Sequence, residues 1–319
     1  MTDLRSKSFS FRAISGIWIF LILSGIGIIS GAFSVFGAET ADVVDYRTFF
    51  GFDPRTTVWI IAELHLMFGA FVLGVPMFAV TVEYVGVLTK EERYDRLAKD
   101  FTRLLSASFA LTAALGGLLT FALFTLYPKV MTFMSGIFHE SFYIYAFFFF
   151  GETFVLYFYY YSWDRLKDRK GIHISAGVLL NIIGLIIMGI SNSWATYMMS
   201  PSGIDPETMK FTGTLMDAIW NPLWNPLNLH RILGNAVFGG YVAGAYAAVK
   251  FLTAQTDEDR AHYDWMGYVG NFIAIVSLLF LPFAGYYLGR EVYSFSPIMG
   301  NNMMGGAFSW TFIIQAIGI

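Results

Sequence analysis

Two histidines and one glutamate interrupt stretches of this chain that are otherwise apolar. His65 lies in the apolar run 58–88, His230 lies in the run 221–250, and Glu152 lies within the aromatic run FYIYAFFFFGETFVLYFYYY. Ionisable side chains inside apolar spans are costly and usually mark ion, proton or ligand sites. Because imidazole is a common metal ligand and a buried carboxyl group can carry a proton, the three residues indicate metal or proton chemistry inside a membrane.

Composition places these residues in an integral membrane protein. Hydrophobic residues make up 56% of the 319 residues, charged residues make up 13%, and the mean hydropathy is +0.58. No soluble core needs so much apolar chain. The absence of cysteine excludes disulfides, thiolate metal sites and catalytic thiols, which leaves His, Met, Glu and Asp as metal ligands. A net charge of -3 gives no basic surface for nucleic acid, so none is expected as a partner.

The apolar runs predict an all-α fold, a polytopic membrane helix bundle of seven to eight spans. They are 13–36, 58–88, 104–127, 142–161, 174–199, 221–250 and 266–288, with a short eighth at 307–319. We interpret 13–36 as a retained anchor rather than a cleaved signal peptide. The eighth run is too short to span at ~1.5 Å per residue. We therefore expect it to end within the membrane or to be completed by a partner.

Loop charges orient this bundle. Fourteen of the 20 Lys and Arg residues fall on one side, mainly in 90–103, which we expect to be a turn, and in the hairpin 164–170. By the positive-inside rule this side, and with it the N-terminus, is cytoplasmic. His65 and His230 then both lie near the outer ends of their helices, roughly 5 to 10 Å inside at ~1.5 Å per residue. Their similar depth favours ligation.

The helix face that carries His230 is narrow and mostly small. At roughly 100° per residue, its other members are Gly234, Val237, Tyr241, Gly244 and Ala248. Such a strip lets something flat lie against the helix, either another helix or a macrocycle. Aromatic residues make up 18% of the chain, more than interfacial belts require, which favours an interior that lines a large apolar ligand.

Structural interpretations compete with these chemical ones. An intramembrane histidine is commonly a hydrogen-bonded packing residue. Glu152 is expected to be protonated or paired, and it serves either proton transfer or a structural hydrogen bond. His173 and His262 fall at cytoplasmic helix ends, where we expect ordinary interface residues, and 163–166 is expected to be an interfacial anchor.

An ordered series of short motifs resembles one known family. In chain order, the series is His65 with Leu73 and Gly74; Glu83, Tyr84, Val85; Ser108 to Leu111; Glu152 to Val155; Trp163 to Leu166; Asn192, Ser193, Trp194; Phe211 to Pro222; and Leu229, His230 leading to Gly240 to Ala245. From about residue 64 to 251 the chain is thus similar to subunit I of the cytochrome bd quinol oxidases. No single motif is specific, and the order carries the resemblance.

The resemblance implies a role for each site residue. His65 matches a ligand in the high-spin haem region, and His230 is similar to an axial ligand of the low-spin haem b beside the quinol site. Glu152 matches an acid associated with proton delivery, and Asn192 and Trp194 match a stretch close to the haems. The remaining cofactor-site candidates adjoin His230 or offer a thioether ligand at a similar level: Arg231, Gly234, Met303 and Met304.

The chain also departs from the family pattern. His230 stands farther from Gly240, Tyr241 and Val242 than the family's ligand does, so that match needs a gap. A second family acid falls at Ile144, and Phe283 takes the place of a glutamate that ligates the third haem. The long quinol-binding loop is missing, and with it the methionine opposite the low-spin histidine.

These observations predict a bd-type haem b subunit that transfers electrons between the quinone pool and a haem or partner. Two mechanisms stay open: a compact quinol oxidase that reduces oxygen, and a cytochrome that serves a partner on the outer side. A haem-poor scaffold or anchor is the alternative. Expected cofactors are haem b and, for an oxidase, haem d, with quinol as substrate. Expected partners are a second membrane subunit, quinone and an outer-side cytochrome.

We expect the chain to divide into three parts: an extra span and loop at residues 1–56, the haem-binding bundle at 57–255 and the C-terminal spans at 256–319. We expect the protein to lie in the inner membrane of a bacterial or archaeal cell.

Overall fold

Eight helices make up nearly all of the part of the chain that the structure describes. The structure is a computed structural model that describes residues 48, 49 and 51–304, without the side chain of Met304. The expected spans at 13–36 and 307–319 lie outside the described residues. The helices are α1 (Pro54–Thr89), α2 (Glu92–Leu126), α3 (Pro128–Tyr161), α4 (Lys170–Met199), α5 (Leu215–Ile219), α6 (Trp224–Thr253), α7 (Asp257–Phe295) and α8 (Pro297–Met304).

Six of these helices are long and apolar enough to cross a bilayer, namely α1 to α4, α6 and α7. The shortest has 30 residues, about 45 Å at 1.5 Å per residue, against a hydrocarbon core of about 30 Å. They correspond one to one to the six apolar runs between residues 58 and 288. The prediction of an all-α, multi-span membrane protein is therefore confirmed.

The expected turn at 90–103 is wrong in extent. Only the junction between α1 and α2 is non-helical, and Lys90 there has a positive φ of 59°. From Glu92 onward the charged stretch is helical, and Glu92 and Asp95 lie in the first turn of α2, where carboxylates stabilise a helix N-terminus. High charge density marks the membrane boundary here but does not end the helix.

Packing divides the described residues into two compact units, one with residues up to 65 and 113–135 and the other with 66–112 and 136 onward. In the described part of the smaller unit, Ile61, Ala122 and Leu126 form a buried cluster. The larger unit has an extensive core built on residues such as Phe78, Phe101 and Leu156. The division of the sequence at residues 56 and 255 stays a prediction.

Glycines bring helix backbones into direct contact in the larger unit. A Cβ atom added at Gly74 of α1 would overlap the backbone of Asn235 in α6. A Cβ atom added at Gly240 of α6 would fall 2.7 Å from the carbonyl oxygen of Gly270 in α7. In lipid, no hydrophobic effect drives helices together, so their association depends on close packing, which small residues at the crossing allow. The crossings set the positions of the polar side chains on α6.

Candidate functional site

His230 presents an unsatisfied nitrogen inside the larger unit. The side chain is half-buried on α6, and its Nδ1 atom is buried without a hydrogen-bond partner among the described residues. The ring lies against α7, where a Cβ atom added at Gly285 would be 3.6 Å from Cε1. Because buried polar atoms are nearly always paired, this imidazole has coordination capacity that a ligand could use.

A buried polar chain lies beside His230. Arg231 donates to Oδ1 of Asn192 over 2.8 Å, and Nδ2 of Asn192 donates to Oδ1 of Asn228, also over 2.8 Å. Asn192 is fully buried, so this network joins α4 and α6 firmly. Within the described residues Arg231 has no carboxylate partner, and its other N–H groups suit an anionic group such as a carboxylate.

Trp194 belongs to an aromatic wall rather than to this polar chain. Its Nε1 atom donates to Oγ of Ser141 over 2.9 Å. Its ring centroid lies 4.7 Å from that of Phe142 and 5.0 Å from that of Tyr145. The structure thus brings Asn192 and Arg231 together and gives Trp194 a packing role between α3 and α4.

His65 lies in the smaller unit, on α1. Its ring occupies the space that a side chain on α2 would need, because a Cβ atom added at Gly116 would fall 2.8 Å from Cε1 of His65. The half-buried His65 ring therefore fits closely against α2 because residue 116 of that helix is a glycine.

Glu152 is 5% exposed and has no hydrogen bond or ion pair within the described part of the chain. It lies at a small cavity in the larger unit with room for about one water molecule. The cavity is lined by Val72, Leu73, Pro76, Met77, Glu152, Leu180, Asn181, Gly184, Leu185, Met188, Ile232 and Asn235. The residue is therefore isolated rather than paired.

The remaining candidates are less constrained. Open space surrounds Gly234, since a Cβ atom added there meets nothing within 4 Å. Met303 is half-buried on α8, and the side chain of Met304 lies outside the described residues. Tyr241, on the face of α6 that carries His230, is 40% exposed. The buried residues of α6 follow an adjacent strip instead: Pro226, Asn235, Gly239, Gly240, Ala243, Gly244 and Ala247.

Sequence reasoning missed a second buried ionisable cluster, centred on Glu83. The Glu83 carboxylate is 1% exposed and has three partners: Nδ1 of His173 at 2.7 Å, Nζ of Lys170 at 3.0 Å and the hydroxyl of Tyr159 at 2.7 Å. Lys170 also pairs with Asp95. The cluster ties α1, α2, α3 and α4 together at the end of the bundle where α1 ends and α4 begins.

Two expectations about this region are wrong. His173 is fully buried rather than an interface residue, and its Nε2 atom lies 2.8 Å from the carbonyl oxygen of Tyr159. Trp163 is 2% exposed rather than an interfacial anchor, and it donates to Asp95 over 3.0 Å. The available signal was the spacing of Lys170 and His173, which places them one turn apart on one helix face.

Among the described residues, no group of three or more His, Cys, Asp or Glu side chains could hold a metal ion. His65 and His230 belong to different units, and each is a candidate ligand. Any iron bound at either one would need a further ligand or an open coordination position. The larger unit thus offers three groups that could take part in chemistry: the imidazole of His230, the guanidinium group of Arg231 and the carboxyl group of Glu152.

Known proteins resemble this chain over most of its length. A family model described as "Cytochrome bd terminal oxidase subunit I" matches residues 54–306. A Bacillus subtilis (strain 168) protein named as a cytochrome bd menaquinol oxidase subunit I is 24% identical over 218 residues, 68% of this chain and 47% of the relative. The chain therefore spans about half the length of this relative. The structure of bd oxidase from Geobacillus thermodenitrificans matches with a TM-score of 0.67 at 20% identity, over 78% of this chain and 58% of that chain.

Proposed function

This chain belongs to the cytochrome bd terminal oxidase subunit I family, and from that premise we propose that it is a haem b membrane subunit that transfers electrons between the quinone pool and a haem or partner. The observation that carries the proposal is the buried, unpartnered Nδ1 atom of His230. An imidazole inside an apolar bundle with a free nitrogen is the type of ligand that haem iron requires.

The residues present fit such a group. His230 would supply a nitrogen ligand, Arg231 would pair with a carboxylate of the macrocycle, and the absence of a side chain at Gly234 would leave space on the same helix. His65 would serve a second site, where Gly116 leaves room for the imidazole. Haem b supplies one-electron transfer when bound, and its potential depends on axial ligand and burial. Met303 and Met304 are proposed as further ligands, and haem d as a further cofactor.

Glu152 is the proposed proton carrier of this subunit. Quinol oxidation releases protons and oxygen reduction consumes them, so either reaction needs a group that can hold a proton in the membrane. A carboxyl group that is buried without a cation partner can exchange a proton without breaking an ion pair. Leu73 and Gly184 pack around it in the cavity wall and limit access of bulk water.

We further propose a second bd-like membrane subunit, quinone and an outer-side cytochrome as partners. We place the protein in the inner membrane of a bacterial or archaeal cell with a cytoplasmic N-terminus, as the loop charges indicate. The chain itself is an integral membrane protein.

A reduced-minus-oxidised visible spectrum of the purified chain tests the haem assignment. The protein should show b-type bands that weaken in His230→Ala and in His65→Ala, because each change removes a proposed nitrogen ligand. His139→Ala is the matched control, since that histidine is exposed on α3 and should leave the bands unchanged. A flat spectrum from the wild-type chain contradicts the proposal. Oxygen uptake with a reduced quinol analogue then separates an oxidase from a cytochrome that serves a partner.

A haem-poor scaffold or anchor is the second candidate. It is favoured by the size of the cavity that Glu152 and Asn235 line, which has room for about one water molecule rather than a porphyrin. This function predicts a stable complex with another membrane subunit and no haem bands from the chain.

A further inference from the structure

Two basic side chains lack a carboxylate partner at the end of the bundle where α2 and α7 begin. Five other cations at this end are each paired with a carboxylate: Arg93, Arg96, Lys99, Lys170 and Arg260. Arg103 of α2 and Lys250 of α6 make no ion pair with any described residue. Both lie where the charged end of a helix passes into its apolar portion. Basic residues at that boundary lie at the level of the lipid headgroups.

The contact between α2 and α7 brings Arg103 close to two tyrosines. Asp100 lies one turn before Arg103 on α2, and its carboxylate is 2.8 Å from Nε2 of His262 in α7. Tyr263 follows His262, and its ring centroid lies 6.3 Å from that of Tyr246 in α6. The charge of Arg103 acts on the hydroxyl groups of both tyrosines. Side chains from three helices thus converge at one place in the larger unit.

Lys250 adds a second cation to this group. Its Nζ atom lies 5.6 Å from the ring centroid of Tyr246, within the range of a cation–π contact. In the part of the chain that the structure describes, the hydroxyl groups of Tyr246 and Tyr263 have no hydrogen-bond partner. Arg103, Tyr246, Lys250 and Tyr263, which we call the Arg103 patch, therefore offer two cations and two O–H donors to one ligand.

The chemistry of the Arg103 patch suits a phosphate group attached to apolar chains. A guanidinium group donates in a fixed fork that matches phosphate oxygens, and an ammonium group adds a point charge. Apolar residues lie on the exposed sides of the same two helices: Leu111 of α2 is 44% exposed and Val249 of α6 is 62% exposed. A free anion would use the donors alone, whereas a phospholipid would use the donors and the apolar surface. Basic groups between membrane helices are a known type of site for anionic headgroups.

We propose that the Arg103 patch binds the headgroup of an anionic phospholipid of the phosphatidylglycerol class. The phosphate accepts hydrogen bonds from Arg103, Lys250 and the tyrosine hydroxyl groups, and the acyl chains lie along the apolar sides of α2 and α6. The bound lipid bridges α2 to the hairpin of α6 and α7. This binding does not depend on the proposed electron transfer.

Native mass spectrometry of the full chain in detergent tests the site, with phosphatidylglycerol as the probe and phosphatidylcholine as the zwitterionic comparison. The wild-type chain should bind phosphatidylglycerol more tightly than phosphatidylcholine. The double variant Arg103→Gln/Lys250→Gln should bind phosphatidylglycerol about 30-fold more weakly, because each basic residue that faces an anionic headgroup contributes about fivefold. The control is Arg165→Gln/Lys167→Gln, which removes the same charge from an exposed loop and should leave the affinity unchanged. Tyr263→Phe keeps both cations and should also weaken binding, and it serves as the second variant if the first does not fold.

An equal loss of affinity in the two double variants would overturn the site, because it would show a general effect of charge. Unchanged affinity in both Arg103→Gln/Lys250→Gln and Tyr263→Phe would overturn it as well, and so would equal binding of the two lipids by the wild-type chain. Inorganic phosphate in excess should not displace the lipid, and displacement would assign the patch to a free anion instead. None of these measurements uses bound haem. A chain without haem that binds the lipid as expected would reject the electron-transfer function and still support the lipid site.

Discussion

At the scale of single residues, two buried carboxyl groups have opposite surroundings. Glu83 is held by His173, Lys170 and Tyr159, whereas Glu152 faces only a small cavity. A carboxylate with three donors is fixed in place, and one without a partner is free to gain and lose a proton. We therefore infer a structural role for Glu83, whereas the proton-carrying role of Glu152 stays a proposal.

The structural assignment of Glu83 predicts a large effect of His173→Ala. The change removes a hydrogen-bond partner of the buried Glu83 carboxylate and of the Tyr159 carbonyl oxygen, and a hydrogen bond to a charged group contributes about 1.5–3 kcal/mol. We expect a clearly lower melting temperature in detergent, measured by intrinsic fluorescence, for His173→Ala. His139→Ala removes an exposed imidazole and should leave melting unchanged. Equal melting of the two variants would show that the cluster does not stabilise the bundle.

Residue context explains which site residues were predictable from sequence. His65, His230 and Glu152 are conspicuous because their neighbours along the chain are apolar. Glu83 and His173 lie near helix ends, where charged residues are ordinary, and only the packing of four helices shows that they are buried. The pairing of Arg231 with Asn192 joins residues 39 apart, and no local pattern indicates it.

At the scale of helices, the periodicity of apolar residues predicted the six spans but not their ends. Apolar runs report the part of a helix that lies in the membrane. Helices α2 and α7 begin in charged sequence, at Glu92 and Asp257, well before their apolar portions. For α7 the start coincides with Thr256, whose side chain accepts a hydrogen bond from the backbone N–H of Asp259, a capping pattern readable from sequence.

The close approach of α6 and α7 predicts that Gly270→Ala destabilises the protein. A Cβ atom at this position would lie 2.9 Å from the carbonyl oxygen of Gly240, and overpacking typically costs about 1–3 kcal/mol. Thermal unfolding in detergent should show the loss. The control is Gly289→Ala on the same helix, where an added Cβ atom meets nothing within 4 Å. If both variants melt alike, the helices do not touch at this crossing.

At the scale of the whole molecule, the sequence predicted the class, the family and the number of central spans. The chain spans only about half the length of the Bacillus subtilis relative that it resembles. The division into two packed units could not be predicted, because it runs across α1, α2 and α3 instead of following loops. Such boundaries depend on which side chains meet, and apolar periodicity does not specify that.

Cysteine labelling tests the orientation of the bundle, and the cysteine-free sequence gives it a clean background. Asp168 and Glu207 are exposed residues on either side of α4, in loops that we place inside and outside the cell. In intact cells a membrane-impermeant maleimide should label Glu207→Cys but not Asp168→Cys. After permeabilisation both should react. The reverse pattern in intact cells would place the N-terminus and the basic loops outside.

The contact between Gly240 and Gly270 has a consequence for biosynthesis. Only residues 254–256 separate α6 from α7, so the two helices leave the ribosome almost together and can enter the lipid as a hairpin. In a chain that stops after α6, the glycine-lined strip of α6 would face lipid without its partner helix α7. Membrane quality-control proteases are expected to clear such a truncated product quickly, whereas one that stops after α7 should persist.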